Sequence, residues 1–133
     1  MARSIVTFLM FQGDNRAEDA MQLYASVVPG AEITELEHFG PGEQGREGTV
    51  RNARMSLCGY EVRFFDSPAE HAFTFTPATS FFVECESADE LDRMFATLSE
   101  GGAVFMPLSN YGFSTRFGWC SDRFGVAWQL NLA

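Results

Sequence analysis

The chain carries one arrangement of predicted elements twice, and this internal repeat restricts the possible folds more than any other feature of the sequence. A shift of 71 residues places apolar residues on apolar ones and glycine on glycine: Ala20 on Leu91, Tyr24 on Phe95, Val27 on Leu98 and Gly30 on Gly101. A repeated supersecondary unit decides the architecture. Here it predicts an α+β chain of two βαβββ modules with one helix each, at about residues 4–66 and 79–133, joined by a connection at 67–78.

The first copy opens with a strand and a helix. Residues 5–11 are a β-branched and aromatic run of strand length. Residues 16–28 place apolar side chains at steps of three and four, as on a helix that packs on a sheet. We expect Asp14 or Asn15 to cap this helix and Pro29-Gly30 to end it.

The other predicted elements complete the two copies. They are strands at 31–39, 49–57, 60–65, 79–85 and 103–108, a helix at 88–99 that Ser87 caps, and a closing hairpin that turns at 121–125. In the last strand, Trp128, Leu130 and Leu132 alternate with polar or small residues at the two-residue period of a sheet. An aromatic hairpin of this kind needs a sheet to join and a layer to cover it.

Charge and cysteine content exclude several classes of protein. Nine arginines stand against 18 acidic residues, for a net charge of −9 at pH 7. Nucleic acids and anionic membrane surfaces attract clustered Lys and Arg, so we expect neither as a partner. Cys58, Cys85 and Cys120 are far apart and odd in number, which predicts neither a disulfide framework nor a CxxC metal site. These features indicate a cytoplasmic protein.

A series of motifs resembles the vicinal oxygen chelate superfamily, which includes glyoxalase and bleomycin-resistance proteins, and within it the PhnB-like group labelled 3-demethylubiquinone-9 3-methyltransferase. The motifs are Phe8-Leu-Met-Phe11, Glu18-Asp-Ala-Met21 with Tyr24, Phe73-Thr-Phe-Thr76 with Ala78 and Ser80 to Val83, Gly118-Trp119, Asp122, Phe124-Gly125 and Trp128-Gln129. They span nearly the whole chain. The resemblance implies curled mixed sheets that form open cups, and assembly as a homodimer.

The resemblance also implies where a metal ion would be held. Members with known enzymatic activity bind a divalent metal through His, Gln or Glu side chains, and the matching positions here are Thr7, Ser80, Gln129 and, near Phe64 to Asp66, the carboxylate of Asp66. Thr and Ser hydroxyls are weak ligands of a divalent ion. We therefore predict no cofactor, with a divalent metal as the alternative. The residues do not support the methyltransferase label, because the sequence shows no glycine-rich loop between a strand and a helix that would bind such a cofactor.

Side-chain alternation indicates which strand residues line the cups. If Phe8, Met10, Phe81, Val83, Trp128 and Leu130 pack under the helices, the opposite face carries the candidate pocket residues Thr7, Leu9, Ser80, Phe82 and Gln129. A mostly apolar cavity with a few polar groups is typical of a small-molecule site. Gln129 has a plainer alternative as an inert polar residue on a solvated sheet face.

Five more candidates have two interpretations each. Asp66 is a pocket residue or part of an Asp-Ser-Pro turn. His71 lies at a pocket mouth or in a solvated loop. Tyr111, Phe113 and Trp119 stack a flat ligand, or pack in the core or a dimer interface.

We therefore predict a homodimeric protein that binds a small, partly apolar molecule in its cups. One alternative is a metal-dependent lyase, isomerase or dioxygenase that uses Gln129, Asp66 or His71. Another is a protein that sequesters a drug, as the bleomycin-resistance relatives do. Cys58 and Cys120 lack an adjacent base, so the sequence does not indicate nucleophilic catalysis.

Overall fold

The computed structural model describes all residues from Met1 to Ala133. Its elements are β1 (Thr7–Phe11), α1 (Ala17–Val27), β2 (Glu32–His38), β3 (Val50–Leu57), β4 (Tyr60–Asp66), β5 (Ser80–Glu84), α2 (Ala88–Ser99), β6 (Ala103–Ser109), β7 (Arg116–Ser121) and β8 (Ala127–Leu132). Contacts divide the chain into two compact units, Met1–Thr74 and Phe75–Ala133. Each unit has the predicted order βαβββ.

The first unit contains a four-stranded sheet, sheet 1, with strand order β1-β4-β3-β2. β1 runs parallel to β4, and the other neighbours are antiparallel. Helix α1 covers one side of this sheet, since the Tyr24 ring lies 6.1 Å from the ring of Phe64 on the central strand β4. Phe11 and Met21 are fully buried in the same core.

The second unit repeats this arrangement as sheet 2, with strand order β5-β8-β7-β6 and β5 parallel to β8. Leu91, Phe95 and Leu98 of α2 are buried against β7 and β8. Gly118 on β7 is required by this packing, because a Cβ atom there would overlap the Phe95 ring and the Leu108 side chain. The predicted mixed sheets and single helix per module are therefore confirmed.

The two helices begin in different ways. The Ser87 hydroxyl accepts a hydrogen bond from the Glu90 N–H at 3.1 Å, which confirms the predicted cap of α2. Helix α1 has no local side-chain cap, so the expectation that Asp14 or Asn15 would cap it is wrong. Instead, the first N–H of the helix, that of Ala17, donates to a carboxylate oxygen of Asp66, which lies far along the chain. Neither helix has the length and apolar character needed to cross a membrane.

Candidate functional site

Sheet 2 has one face covered by α2 and one helix-free face. The covered side carries Phe81, Val83, Gly118, Cys120, Trp128 and Leu130, in agreement with the predicted alternation. The helix-free face of sheet 2 carries Ser80, Phe82 and Glu84 from β5, Ala127, Gln129 and Asn131 from β8, and Phe117, Trp119 and Ser121 from β7. Four of the sequence-predicted candidates, Ser80, Phe82, Trp119 and Gln129, therefore share one surface.

Strand pairing sets these side chains in rows across the sheet. Gln129 occupies the middle of the central row, opposite Phe82 on one side and Trp119 on the other. In the next row, Asn131 lies between Glu84 and Phe117. Directly opposed side chains on one face of a sheet are close enough to interact. The Gln129 amide therefore lies between two aromatic residues, and it makes no hydrogen bond within the protein.

An aromatic cluster adjoins these rows. Its members are Phe82, Tyr111, Phe113 and Phe117, whose ring centroids lie 5.0–6.3 Å apart in successive contacts. Phe117 is buried by its neighbours, whereas Phe82 is 54% exposed and Phe113 is 63% exposed. The Tyr111 hydroxyl donates to the Pro107 carbonyl at 2.5 Å. The central ring of the cluster, Phe117, is therefore packed within the protein, while the rings of Phe82 and Phe113 leave aromatic surface that another molecule can cover.

Polar atoms beside this cluster lack partners. The Ser80 Oγ, Trp119 Nε1 and Asn131 Oδ1 atoms are buried and make no hydrogen bond within the protein. Asn131 Nδ2 does donate to Glu84 Oε2 at 3.0 Å, so its amide orientation is held. Leaving a buried polar group unsatisfied costs about 1–3 kcal/mol. Native proteins leave few such groups without a partner from the protein, water or a ligand, and three of them lie on this one face.

Five residues of this face were not among the sequence-predicted candidates, and two of the five contribute to the site. Phe117 is the centre of the aromatic cluster, and Asn131 supplies one of the unpartnered atoms. Both could have been found by alternation, because Phe117 lies two residues before Trp119 and Asn131 two residues after Gln129.

The predicted face assignment for β1 is wrong. Leu9 and Phe11 are buried on the side of sheet 1 that α1 covers, and Phe8 is 52% exposed on the opposite side. Thr7 pairs with the fully buried Val62 and so lies on the covered side as well. The Thr7 Oγ1 atom is 2.6 Å from the Tyr60 hydroxyl. Thr7 and Leu9 therefore do not belong to a helix-free face.

Asp66 is 5% exposed and anchors the backbone of the first unit. Its Oδ1 accepts from the Ala17 N–H at 2.8 Å, at the start of α1, and its Oδ2 accepts from the Val50 N–H at 2.7 Å, at the start of β3. Both carboxylate oxygens are therefore engaged by buried backbone donors. This arrangement assigns Asp66 a structural role.

His71 is held inside the connection that follows β4. Its Nε2 lies 3.1 Å from the Ser67 hydroxyl, and its ring stacks on Phe73 with centroids 4.9 Å apart. The Gln12 side chain accepts from the His71 N–H at 2.6 Å and donates to the Phe73 carbonyl at 2.8 Å. The segment is thus tied to the end of β1. Whether it contacts a ligand stays a prediction.

The residues at the family's metal positions do not fit a divalent ion. Thr7 and Ser80 offer hydroxyls, Gln129 offers an amide, and both oxygens of Asp66 already accept backbone N–H groups. No group of three or more His, Cys, Asp or Glu side chains is arranged to hold a metal.

Burial, together with the charge of Asp122, raises the pKa of the Cys120 thiol to about 12, so this thiol stays protonated at neutral pH.

Comparison with solved structures agrees with this architecture. A PhnB protein from Bacillus cereus is 46% identical, with a TM-score of 0.93 over 98% of this chain and 100% of that chain. Protein PA1353 from Pseudomonas aeruginosa is 27% identical, with a TM-score of 0.82 over 98% of each chain. A glyoxylase/bleomycin resistance protein/dioxygenase domain from Frankia sp. EAN1pec is 15% identical, with a TM-score of 0.66 over 100% of this chain and 98% of that chain, and shows the shared fold.

The family comparison covers almost the whole sequence. The model of the family described as 3-demethylubiquinone-9 3-methyltransferase matches residues 3–131. The match includes both sheets, both helices and every residue of the helix-free face of sheet 2. This chain therefore belongs to that family, as the Bacillus cereus PhnB protein does by its description.

Proposed function

We propose that the protein binds a small, flat, partly apolar molecule on the helix-free face of sheet 2. The observation that carries the proposal is the set of buried polar atoms without partners, Ser80 Oγ, Trp119 Nε1 and Asn131 Oδ1, beside an aromatic cluster whose rim is exposed. Apolar surface with a few convergent polar groups is the usual composition of a ligand site.

The polar atoms indicate which ligands suit this face. Trp119 Nε1 can only donate a hydrogen bond, and Asn131 Oδ1 can only accept one. The Gln129 amide between them can do both. A ligand that offers one acceptor and one donor on a flat ring would satisfy these atoms, while its ring faces cover Phe82 and Phe113. Glu84 borders the same row, so a neutral or weakly basic molecule suits the face better than an anion.

The two tryptophans provide a test that reports on one residue. Trp119 lies on the helix-free face, whereas Trp128 is buried under α2 with its indole N–H donating to Asp122 at 2.9 Å. In two-dimensional NMR spectra, the Trp119 indole N–H resonance should shift on titration with a bound member of a panel of flat heteroaromatic compounds, including planar drugs. The Trp128 resonance should move much less.

Matched variants complete this test. Trp119→Phe removes the donor but keeps an aromatic ring, and Gln129→Ala removes the central amide; each should weaken binding about tenfold, or about 1.4 kcal/mol. Glu86→Gln, a change at an exposed residue away from the rows, should leave binding unchanged. If every compound that binds shifts Trp128 but not Trp119, or binds these variants equally well, the face is not the binding site.

We also infer that the protein is a cytoplasmic homodimer. Strand β6 is an edge strand of sheet 2, and its Val104 is 49% exposed beside the part-exposed Phe105. An exposed apolar edge strand is normally covered by a partner. Light scattering should give twice the chain mass, and Val104→Glu should give the single-chain mass while Val104→Thr does not. A single-chain mass for the unmodified protein at micromolar concentration would refute the dimer.

The cytoplasmic location is inferred from the three free cysteines, which suit a reducing compartment.

A further inference from the structure

The helix-free face of sheet 1 contains an arginine that lacks an acidic partner. This face carries Phe8 and Met10 from β1, Glu61, Arg63 and Phe65 from β4, Asn52, Arg54 and Ser56 from β3, and Glu32, Glu35 and Glu37 from β2. Arg63 occupies its centre: it pairs with Phe8 on one side and with Arg54 on the other, and Arg54 pairs in turn with Glu35. Two arginines are thus directly opposed on neighbouring antiparallel strands, which is an unfavourable pairing.

Two neighbouring arginines have carboxylate partners: Arg54 on this face and Arg51, the unpaired residue at the bulge of β3. Arg51 contacts Glu37 at 3.0 Å and Glu43 at 2.8 Å. The pKa of Glu37 is lowered first by its hydrogen bond from Asn52 and then by Arg51, and the pKa of Glu43 first by the Gly40 N–H and then by Arg51. Arg54 contacts Glu61 at 2.9 Å and lies 3.2 Å from Glu35. Glu35, Glu37 and Glu61 of this face are therefore already paired with an arginine, whereas Glu32 lies at its far end, opposite Ser56.

Arg63 has no such partner. Its only hydrogen bond goes from a terminal nitrogen to the neutral Oδ1 of Asn52 at 2.9 Å. Asn52 is itself fixed, because its Nδ2 donates to Glu35 at 2.9 Å and to Glu37 at 3.0 Å. The Nε atoms of Arg63 and of Arg54 are both buried without a hydrogen-bond acceptor, but Arg54 has two carboxylates beside it and Arg63 has none. The guanidinium is therefore held in place by Asn52, and nothing in the protein accepts a hydrogen bond from its Nε–H.

This arrangement does not favour stability. A buried donor without an acceptor costs about 1–3 kcal/mol, and an opposed like charge adds to the cost. A guanidinium presents its N–H donors in a planar fork that matches a carboxylate in two parallel hydrogen bonds. An anionic ligand would supply the missing acceptor and offset the charge of the second arginine.

Apolar surface lies next to this guanidinium. The exposed ring of Phe8 has its centroid 5.8 Å from that of Phe65, and Phe65 in turn lies 6.3 Å from Phe39. Met10 lies beside Phe65 on the same face. A ligand that places its anionic group on Arg63 therefore has aromatic surface available for an apolar body.

We infer that Arg63 is the anion-binding residue of a ligand site on sheet 1, and that this site takes a small organic monocarboxylate with an apolar body. The charge on the ligand is limited by the surroundings. Arg54 and Arg63 stand on this face against Glu32, Glu35, Glu37 and Glu61, so a dianion such as a phosphate ester would meet more repulsion than a single carboxylate.

The test uses benzoate as the probe in mildly alkaline buffer, with benzamide as a neutral counterpart of the same shape and phenylphosphonate as a dianionic one that keeps the phenyl ring. In NMR titrations, benzoate should shift the Arg63 Nε–H resonance and the backbone N–H resonances of Phe8 and Phe65 in a saturable way. Benzamide and phenylphosphonate should bind at least about tenfold more weakly. The absence of a saturable benzoate shift, or equal binding of either counterpart, would overturn the proposal.

Variants separate a binding role from a structural one. Arg63→Gln should weaken benzoate binding at least about tenfold and should not lower the melting temperature, because it removes an unsatisfied donor and a like charge. Arg63→Lys keeps the charge but not the planar fork, so it should bind several-fold more weakly. Arg46→Gln, a change at an exposed arginine of the same unit, should have no effect. Unchanged benzoate affinity in either Arg63 variant would overturn the assignment. The Trp119 resonance reports on the site proposed on sheet 2, so the failure of one proposal can be told from the failure of the other.

Discussion

Replacing Asp122 with alanine is expected to lower the free energy of unfolding by about 4 kcal/mol, because three buried donors lose their acceptor together. Asp122 is 2% exposed and lies in the turn between β7 and β8. Its Oδ1 accepts from the Phe124 N–H at 2.9 Å and from the Val126 N–H at 3.1 Å, and its Oδ2 accepts from the Trp128 indole N–H at 2.9 Å. Chemical denaturation of the variant and of the unmodified protein would measure the loss.

A second pair of substitutions tests the contact between Asp122 and Trp128 itself. Asp122→Asn keeps the shape of the side chain but turns an N–H toward the indole N–H if Oδ1 keeps its backbone donors. Trp128→Phe removes the indole donor and retains much of the packing under α2. The double variant should therefore lose less stability than the two single losses added together, by about 1 kcal/mol or more.

The control for this turn is Glu86→Gln, which removes a negative charge from an exposed position of the same unit. It should change the free energy of unfolding by less than about 0.5 kcal/mol. If Asp122→Ala were no more destabilising than this control, the three hydrogen bonds would not hold the closing turn. Additive effects of Asp122→Asn and Trp128→Phe would show that the indole contact contributes nothing of its own.

The order of the elements could be predicted because each helix and strand is indicated by residues that are close together in the sequence. Residues 88–99 show helical periodicity with Ser87 before them, and the observed helix has these same bounds. In β8, polar residues alternate with apolar ones, so the sequence itself determines which side of the strand is buried. That is why Gln129 was placed correctly on the helix-free face and Trp128 under α2.

The face of β1 could not be predicted in this way. Its sequence, Thr7-Phe-Leu-Met-Phe11, places large apolar side chains at four successive positions, so alternation carries no information about the buried side. The strand lies at an edge of sheet 1, and its exposed face keeps Phe8. Only the pairing with β4 shows that Leu9 lies beside the buried Phe64.

The environment of Arg63 also depends on register. The alternation of Glu61 and Arg63 with Val62 and Phe64 is visible in the sequence, but the strands that supply their neighbours are not. The opposition of Arg63 and Arg54 follows from the β3–β4 pairing, and the carboxylate partners of Arg54 come partly from β2. A missing partner can be recognised only after every available partner has been located.

The cap of α1 shows the same limit and leads to the second large effect, at Asp66. The Ala17 N–H at the start of the helix finds its acceptor 49 residues later, and the Val50 N–H of β3 binds the other oxygen of the same carboxylate. Asp66→Ala should therefore lower the free energy of unfolding by about 3 kcal/mol. Hydrogen exchange should become faster at the first turn of α1 and at the start of β3 than elsewhere in the first unit.

Asp66→Asn and Asp14→Ala distinguish this structural role from a ligand-binding one. The asparagine keeps one acceptor but presents an N–H to the second backbone donor. The free energy of unfolding of Asp66→Asn should therefore lie between that of the unmodified protein and that of Asp66→Ala. Asp14→Ala removes the fully exposed carboxylate that the sequence suggested as the cap, and should cost less than about 0.5 kcal/mol. If Asp66→Asn instead kept full stability and lost affinity for a bound ligand, Asp66 would belong to a binding site, and the backbone contacts would not explain why a carboxylate is buried there.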